Sequence, residues 1–212
     1  MKSCRESMLL YAVTDRRWLR EGETLAQQVE KALRGGVTCL QLREKELSDE
    51  EFLAEAIEIK KICARYDVPF IINDNVNVAI KCKADGIHVG QSDMDAGELR
   101  RIVGDDMLIG VSAENVEAAL KAEADGADYI GTGAVFSTST KNDAAAVSLT
   151  ELAEICRSVK IPIVAIGGIT KENITDLSGT GVAGAAVVSA IFAEPDVEAA
   201  TKELLRLSEG IV

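Results

Sequence analysis

The sequence has few of the residues that covalent acyl transfer or disulfide chemistry requires. It contains one histidine, His88, and five cysteines at positions 4, 39, 63, 82 and 156. The cysteines form no Cys-x-x-Cys motif and have no regular spacing that would indicate disulfide pairs. Without a second histidine or a recognisable Ser–His or Cys–His pair, nucleophilic acyl chemistry has little support. An odd number of scattered cysteines is typical of reduced thiols that fill the core, so we expect a cytoplasmic protein.

Long apolar runs and an excess of positive charge are also missing. The longest early apolar run, residues 8–13, is too short for a membrane span or a signal-peptide core, and charged residues follow it at 15–17. The net charge of −12 argues against nucleic-acid binding, which usually requires a basic surface. We therefore expect neither a membrane nor a nucleic acid as partner. Because the electrostatic field of the whole protein repels anions, any anionic ligand must be bound by hydrogen-bond donors and positive charges at the site itself.

Short, continuous apolar runs alternate with amphipathic stretches along the whole chain. Such runs are typical of parallel strands that are covered on both faces. We predict strands at 9–14, 39–43, 70–73, 86–90, 108–112, 129–133, 162–167 and 184–188. The main predicted helices are 24–34, 49–66, 96–103, 115–124, 149–159 and 197–207.

A repeated pattern runs from a helix end through glycine into a strand. It occurs in residues 35–42, 83–90, 123–133 and 179–189, before the second, fourth, sixth and eighth strands. Eight βα units without a linker or a break in composition predict one (β/α)8 TIM barrel, with residues 1–212 as a single domain. A doubly wound open sheet is the alternative, but it requires neither eight evenly spaced strands nor a fourfold repeat.

The carboxyl ends of barrel strands form the usual ligand site, and polar or glycine-rich residues follow every strand from the second onward. Asp74 and Asp93 follow neighbouring strands and can therefore face each other. Two hard oxygen ligands suit Mg²⁺, which uses substrate phosphates and water to complete its shell. In the alternative interpretation, Asp74 caps the next helix and Asp93 lies in a solvated loop.

Three further features lie at the same predicted mouth or close to it. Gly167-Gly168 and Val188-Ser189 follow the seventh and eighth strands, where barrels commonly bind phosphate, with a short helix expected from Ser189; a pair of tight turns is the alternative. Lys141 ends a hydroxyl-rich stretch, residues 137–141, that either folds over a ligand or is a solvated loop without a function. His88 lies inside a strand, which favours a hydrogen-bonded structural role over that of a base.

Seven ordered motifs resemble those of the thiamine phosphate synthase (thiamine-phosphate pyrophosphorylase) family and together extend over almost the whole chain. They are QLREK (41–45), FIIND (70–74), ADGIHVGQSD (84–93), GVSA (110–113), TSTK (138–141), VAIGGI (164–169) and VVSAI (187–191). The resemblance implies a transferase that joins 4-amino-2-methyl-5-hydroxymethylpyrimidine diphosphate to 4-methyl-5-(2-hydroxyethyl)thiazole phosphate. Its implied products are thiamine phosphate and pyrophosphate, and its implied cofactor is Mg²⁺.

The resemblance also implies a role for individual residues. The pyrimidine diphosphate would be bound by Gln41, Leu42, Arg43, Glu44, Lys45 and Asn73, with Ser112 on the pyrimidine and Lys141 on the diphosphate. The thiazole phosphate would be bound by Thr138, Ser139, Thr140, Gly168, Val188 and Ser189, and the metal by Asp74 and Asp93. The residues expected to act in catalysis are Arg43, Lys45, Ser112 and Lys141. We expect the Glu44 side chain to turn away from the anion, toward a neighbouring cation or solvent.

Two other functions remain open at this point. A related isomerase, similar to thiazole tautomerase, would need the phosphate site but neither the diphosphate-binding cations nor the metal pair. A non-catalytic phosphate-binding barrel would not need them either. The presence of Arg43, Lys45, Lys141 and both aspartates favours the synthase, whose partners are two phosphorylated small molecules. The sequence is compatible with an oligomer.

Overall fold

The strands close into a barrel in the computed structural model, which describes residues 4–90, 93–137 and 146–212. All eight are parallel and pair in chain order, and the eighth pairs back with the first. They are β1 Leu10–Val13, β2 Cys39–Leu42, β3 Phe70–Asn73, β4 Gly86–Val89, β5 Leu108–Ser112, β6 Tyr129–Thr132, β7 Ile163–Ile166 and β8 Gly184–Val187. The predicted (β/α)8 barrel is confirmed, and the open-sheet alternative is wrong.

Helices connect the strands, and the observed ends differ from the predicted ones by about one residue because capping residues lie outside the helix. Thr24 and Asn115, predicted as helical, have extended backbones, and their side chains accept hydrogen bonds from the first turn. The helices in the described ranges are α1 Cys4–Ser7, α2 Leu25–Gly35, α3 Asp49–Arg65, α4 Val76–Cys82, α5 Ala96–Val103, α6 Val116–Ala124, α7 Leu149–Ser158, α8 Ser189–Phe192 and α9 Val197–Ser208. Two short 3₁₀ helices cover Arg16–Trp18 and Ile174–Leu177.

The apolar core has two compartments, because side chains alternate between the two faces of each strand. One face packs against the surrounding helices and forms the larger compartment. The other points into the barrel. The members of this inner cluster are Met8, Tyr11, Val13, Cys39, Ile71, Tyr129, Val164, Ala183 and Ala186. The barrel is therefore a packed interior, with two tyrosines among its largest side chains.

The sequence repeat corresponds to a shared hydrogen bond at the amino-terminal end of the barrel. In three of the four repeats, a side chain just before an even-numbered strand accepts a bond from the backbone at the start of the preceding strand. The bonds join Leu10 N to Thr38 Oγ1 (2.8 Å), Phe70 N to Asp85 Oδ2 (2.8 Å) and Ile109 N to Asp128 Oδ2 (2.7 Å). The repeat thus contributes to stability at the end opposite the predicted site.

Replacement of Asp128 by alanine is expected to lower the free energy of unfolding by about 1–3 kcal/mol. The change removes the acceptor of the Ile109 N–H and leaves Arg100, whose Nη2 lies 2.5 Å from Asp128 Oδ2, without this partner. Urea denaturation measures the difference. The exposed Asp105→Ala is the matched control and should stay within about 0.5 kcal/mol of the parent. Equal midpoints for the two variants would contradict this role of Asp128.

The helices and the cysteines bear on the expectations about a membrane span and about disulfides. No helix in the described ranges is both long and apolar enough to cross a bilayer. All five cysteines belong to the described residues and are free. Burial raises the pKa of Cys63 to about 12, so this thiol is held in its protonated, unreactive form.

Candidate active site at the barrel mouth

The segment that follows β2 brings positive charge to the carboxyl-terminal end of the barrel. Gln41 and Leu42 are buried in the strand, and Arg43 and Lys45 come directly after it. The Arg43 N–H donates to Thr14 Oγ1 at 3.0 Å, which ties this segment to the residue following β1. The strand ends one residue earlier than predicted, so both cations lie beyond it.

The Glu44 side chain turns toward a cation, Arg16, and not toward solvent, which agrees with one of the two expected directions. Only 3% of it is exposed, and Arg16 Nη2 lies 2.9 Å from Glu44 Oε1 and 2.7 Å from Glu55 Oε1. Arg16 thus joins the segments that follow β1 and β2 to helix α3. The Glu44 carboxylate, which lies between Arg43 and Lys45 in the sequence, is therefore held in an ion pair inside the protein.

Arg16→Ala is expected to make stability fall more steeply as pH rises above about 4.5. Burial raises the pKa of Glu55, the Arg16 guanidinium opposes that rise, and a hydrogen bond with Glu44 adds to it. Without Arg16 the folded-state pKa rises further above its unfolded value. Because the native state then holds the proton more tightly, stability is lost as pH increases through the window between the two values.

Urea denaturation of parent and Arg16→Ala between about pH 4.5 and 7 tests this pH dependence. Arg206→Ala, which removes an exposed arginine on α9, is the control for the loss of one positive charge. The result that would count against the Arg16 bridge is an identical pH slope in all three proteins.

Residues 73–75 place a carboxylate next to Lys45. Asn73, the last residue of β3, pairs in register with His88 of β4. Asp74 has a left-handed backbone (φ 61°), its N–H donates to His88 O at 2.9 Å, and its Oδ2 lies 2.6 Å from Lys45 Nζ. Asn75, not Asp74, caps helix α4. The helix-capping alternative for Asp74 is therefore wrong, and this carboxylate lies at the mouth.

The second carboxylate of the predicted metal pair lies on the neighbouring loop. Asp93 Oδ2 accepts from Gly90 N at 2.7 Å, so the side chain folds back to the end of β4. A carboxylate has about four acceptor positions, and the contact of Asp74 with Lys45 and that of Asp93 with Gly90 leave capacity on each. Among the described residues no group of three or more His, Cys, Asp or Glu side chains could hold a metal. Two carboxylates fit Mg²⁺ completed by water and phosphate oxygens better than a cage made of protein alone.

A chain of polar side chains crosses the barrel interior below the mouth. Gln41 Nε2 donates to Tyr11 Oη (2.8 Å), and Tyr11 Oη lies 2.8 Å from Tyr129 Oη. His88 Nδ1 lies 3.1 Å from Tyr129 Oη, and its Nε2 lies 3.0 Å from Ser112 Oγ. The hydrogen-bonded role expected for His88 is confirmed, and it connects His88 to two predicted substrate residues.

A pair of glycines follows β7, and a short helix begins directly after β8. Gly167 and Gly168 have positive φ (100° and 64°), and a Cβ on Gly168 would lie 2.4 Å from Ser137 O. Only glycine, which has no Cβ, allows the loop that follows β6 to lie this close to residue 168. The short helix expected from Ser189 is present, and its N-cap, Val188, makes no side-chain hydrogen bond. The first N–H groups of this turn therefore have no side-chain cap.

The remaining predicted residues lie outside the described part of the chain. Ser137, beside Gly168, is the last described residue before this segment. The predicted residues concerned are Thr138, Ser139, Thr140 and Lys141.

Sequence reasoning did not identify Arg16, Tyr11 or Tyr129 as part of the site. The two tyrosines carried a usable signal, since the chain has only three and these two fall within predicted apolar strands. A hydroxyl in such a strand needs a buried partner. Arg16 carried no such signal, because its partners lie far along the chain and meet it only when the barrel closes.

The protein is a (β/α)8 barrel that has cations and carboxylates after β2, β3 and β4, a glycine pair after β7 and the start of a short helix after β8. Residues 10–191 match the family model described as thiamine monophosphate synthase. The chain belongs to the thiamine-phosphate synthase family.

Individual relatives show the same likeness over nearly full length. The chain is 51% identical to a thiamine-phosphate synthase of Clostridium botulinum over 92% of its own length and 91% of that protein. It is 43% identical to one of Persephonella marina over 97% of its length and 98% of the relative. The solved thiamine phosphate pyrophosphorylase of Pyrococcus furiosus superposes with a TM-score of 0.91 at 39% identity, covering 98% of both chains.

Proposed function

We propose that this chain is a transferase that condenses 4-amino-2-methyl-5-hydroxymethylpyrimidine diphosphate with 4-methyl-5-(2-hydroxyethyl)thiazole phosphate. The products are thiamine phosphate and pyrophosphate. The observation that carries the proposal is membership of the thiamine-phosphate synthase family over most of the chain. The proposed reaction itself requires no nucleophilic side chain of the protein.

The pyrimidine diphosphate is assigned to the side of the mouth formed by β2 to β5. Arg43 and Lys45 bring positive charge to the diphosphate, which a protein with a net charge of −12 must supply locally. The hydrogen bond from Arg43 N to Thr14 supports a fixed position for this segment. The residues assigned to this ligand are Gln41, Leu42, Arg43, Glu44, Lys45, Asn73 and Ser112, with Lys141 reaching the diphosphate.

Asp74 and Asp93 are assigned to Mg²⁺. When bound, the ion would neutralise negative charge that develops on the departing pyrophosphate. Support comes from their position on neighbouring loops and from the ion pair of Asp74 with Lys45. Lys45 thus lies where it can contact both the carboxylate and a diphosphate oxygen.

The thiazole phosphate is assigned to the opposite side of the mouth. The positive φ values of Gly167 and Gly168 and the uncapped start of α8 support a phosphate site made of backbone N–H groups. The residues assigned to it are Thr138, Ser139, Thr140, Gly168, Val188 and Ser189.

The chemistry is a dissociative substitution. The C–O bond of the pyrimidine diphosphate breaks, its electron pair leaves with pyrophosphate, and the aminopyrimidine stabilises the resulting methylene cation. The lone pair of the thiazole nitrogen then forms the new C–N bond. Arg43, Lys45 and Lys141 stabilise the leaving group, and the protein holds the thiazole in line.

The two alternative functions explain fewer of the charged residues at the mouth of the barrel. An isomerase acting on thiazole phosphate alone, or a non-catalytic phosphate-binding barrel, gives no reason for a Lys45–Asp74 pair and a second carboxylate at Asp93. We place the enzyme in the cytoplasm, which its five free cysteines support.

The test is a set of three incubations with Mg²⁺: both substrates together, the pyrimidine diphosphate alone, and the thiazole phosphate alone. The synthase predicts pyrophosphate and thiamine phosphate in equal amounts in the first and no product in the others. Isomerisation of the thiazole phosphate by itself would indicate the tautomerase-like function. Absence of pyrophosphate release, or release without consumption of the thiazole, would contradict the synthase.

A further inference from the structure

A buried amide connects helix α2 with helix α8. Gln28 on α2 is completely buried. Its Nε2 donates to Phe192 O, at the end of α8, at 3.2 Å, and to Trp18 O, in the segment after β1, at 3.0 Å. These elements are neighbours because β8 pairs with β1. One side chain therefore holds the end of α8 against the segment that follows β1.

The orientation of the Gln28 amide is set by its two acceptors. An amide nitrogen has two hydrogens, and the two carbonyl oxygens use both. The reverse orientation would place Gln28 Oε1 against two carbonyl oxygens, neither of which can donate. In the observed orientation Oε1 is buried and has no hydrogen-bond partner among the described residues, which costs free energy. An apolar side chain of similar size would avoid that cost but could not make the two hydrogen bonds.

Arg20 makes a second connection, to the chain just beyond α8. Its Nη1 donates to Pro195 O at 2.9 Å, and its Nη2 donates to Glu194 O. Both acceptors lie between α8 and α9, outside the hydrogen-bond ladder of either helix. Gln28 and Arg20, here termed the α8 clamp, thus bind three backbone carbonyls at or after the end of α8.

Helix α8 needs such connections because it is a single turn of four residues. So short a helix is not stable through its own hydrogen bonds. Burial of Ile191 and Phe192 anchors one face to the core, but apolar contacts are not directional. Hydrogen bonds to the carbonyls at its end add direction and so fix where the turn begins. It begins at Val188 and Ser189, two of the residues assigned to the thiazole phosphate.

We propose that Gln28 and Arg20 are positioning residues that hold the backbone at Val188 and Ser189 in place for the phosphate of the thiazole substrate. Each acts through the backbone of α8 and needs no contact with the ligand. The inference rests on the proposed function for the identity of the ligand, whereas the effect of the clamp on α8 does not. Because the diphosphate is assigned to the loops after β2 to β5, the clamp should affect the binding of one ligand and not of the other.

Amide hydrogen exchange tests the effect of the clamp on α8 in the protein without ligand. Gln28→Met keeps the length of the side chain and its helix propensity but donates no hydrogen bond. Exchange in residues 189–194 should become about fivefold faster or more, because the N–H groups of Phe192 and Ala193 find their acceptors within this turn. Gln27→Ala, which removes part of the N-terminal cap of α2, is the matched control and should leave this exchange unchanged.

Isothermal titration calorimetry tests the effect on the ligand. In Gln28→Met, the Kd for the thiazole phosphate should rise about five- to tenfold, a loss of the size of one hydrogen bond. Arg20→Ala, at an exposed position, should raise this Kd by about twofold. The Kd for pyrophosphate with Mg²⁺ should change by less than about twofold in Gln28→Met. At saturating thiazole phosphate, its kcat should stay within about twofold of the parent.

The outcomes separate the clamp from the proposed function. Unchanged exchange of residues 189–194 in Gln28→Met, or faster exchange with an unchanged Kd for the thiazole phosphate, would overturn the positioning role. An equal rise in Kd for both ligands would also overturn it, by indicating a general structural defect, as would a parent that binds no thiazole phosphate with or without Mg²⁺ and pyrophosphate. A parent protein that binds the thiazole phosphate, and loses affinity on Gln28→Met, but forms no thiamine phosphate would contradict the proposed function alone.

Discussion

Asp93→Ala is expected to lower kcat/KM by roughly 10²-fold or more, because the change removes one of the two carboxylates assigned to the metal. The loss should be largest at limiting Mg²⁺ and smaller when the ion is in excess, since the remaining ligands bind it more weakly. The fold should be kept, because Asp93 is exposed and its hydrogen bond to Gly90 N belongs to a surface loop.

Asp95→Ala is the matched control for Asp93→Ala. Asp95 lies two residues further along the same loop, where its side chain accepts from Gly97 N and caps helix α5. Its loss should reduce stability by about 1 kcal/mol and leave the Mg²⁺ dependence of turnover unchanged. Turnover of Asp93→Ala equal to that of the parent at limiting Mg²⁺ would remove Asp93 from the metal site.

Lys45→Ala is expected to lower kcat by about 10²-fold, because we assign Lys45 to the charge that develops on the departing pyrophosphate. The change also leaves Asp74 without the cation that lies 2.6 Å from its Oδ2. Lys45→Arg should recover only part of the activity, since arginine keeps the charge but presents it as a planar fork and not as a compact ammonium group. Steady-state rates with both substrates saturating measure both effects.

A second lysine–aspartate pair provides the control for Lys45. Lys60 Nζ lies 2.5 Å from Asp85 Oδ2 at the opposite, amino-terminal end of the barrel. Lys60→Ala removes a similar ion pair and should affect stability but not turnover. If Lys45→Ala and Lys60→Ala had the same kcat, the assignment of Lys45 to the diphosphate would be wrong.

The fold could be predicted almost completely because its signals are local. Continuous apolar runs identified all eight strands, and the fourfold repeat favoured a barrel over an open sheet. The errors of about one residue at helix ends have a physical cause, as at Thr24 and Asn115, whose side chains cap helices that their backbones do not join. The hydrogen bonds that the repeat makes at the starts of the strands could not be predicted. Asp85 and Asp128 bond the backbone of the preceding strand, and no sequence pattern pairs these positions.

The positions of the candidate residues could be predicted where they follow strand ends and not where they lie in the barrel interior. Strand-end position sufficed to bring together Lys45 and Asp74. It said nothing about Tyr129 and His88, because their contact depends on which face of two different strands points inward and on the space that Gly110 leaves. The ion pair between Glu44 and Arg16 could not be predicted either, because the two residues meet only when the barrel has formed.

A crystal grown with Mn²⁺ in place of Mg²⁺ and with pyrophosphate shows whether the metal and the diphosphate bind on the β2 to β4 side of the mouth and apart from the thiazole phosphate site. Anomalous scattering locates the metal independently of any assumed ligand. The proposed site predicts a single strong peak bound by one oxygen from Asp74 and one from Asp93, with pyrophosphate oxygens on the metal, Arg43 and Lys45. A metal bound elsewhere, or pyrophosphate held at Gly168 and Ser189 without metal, would contradict it.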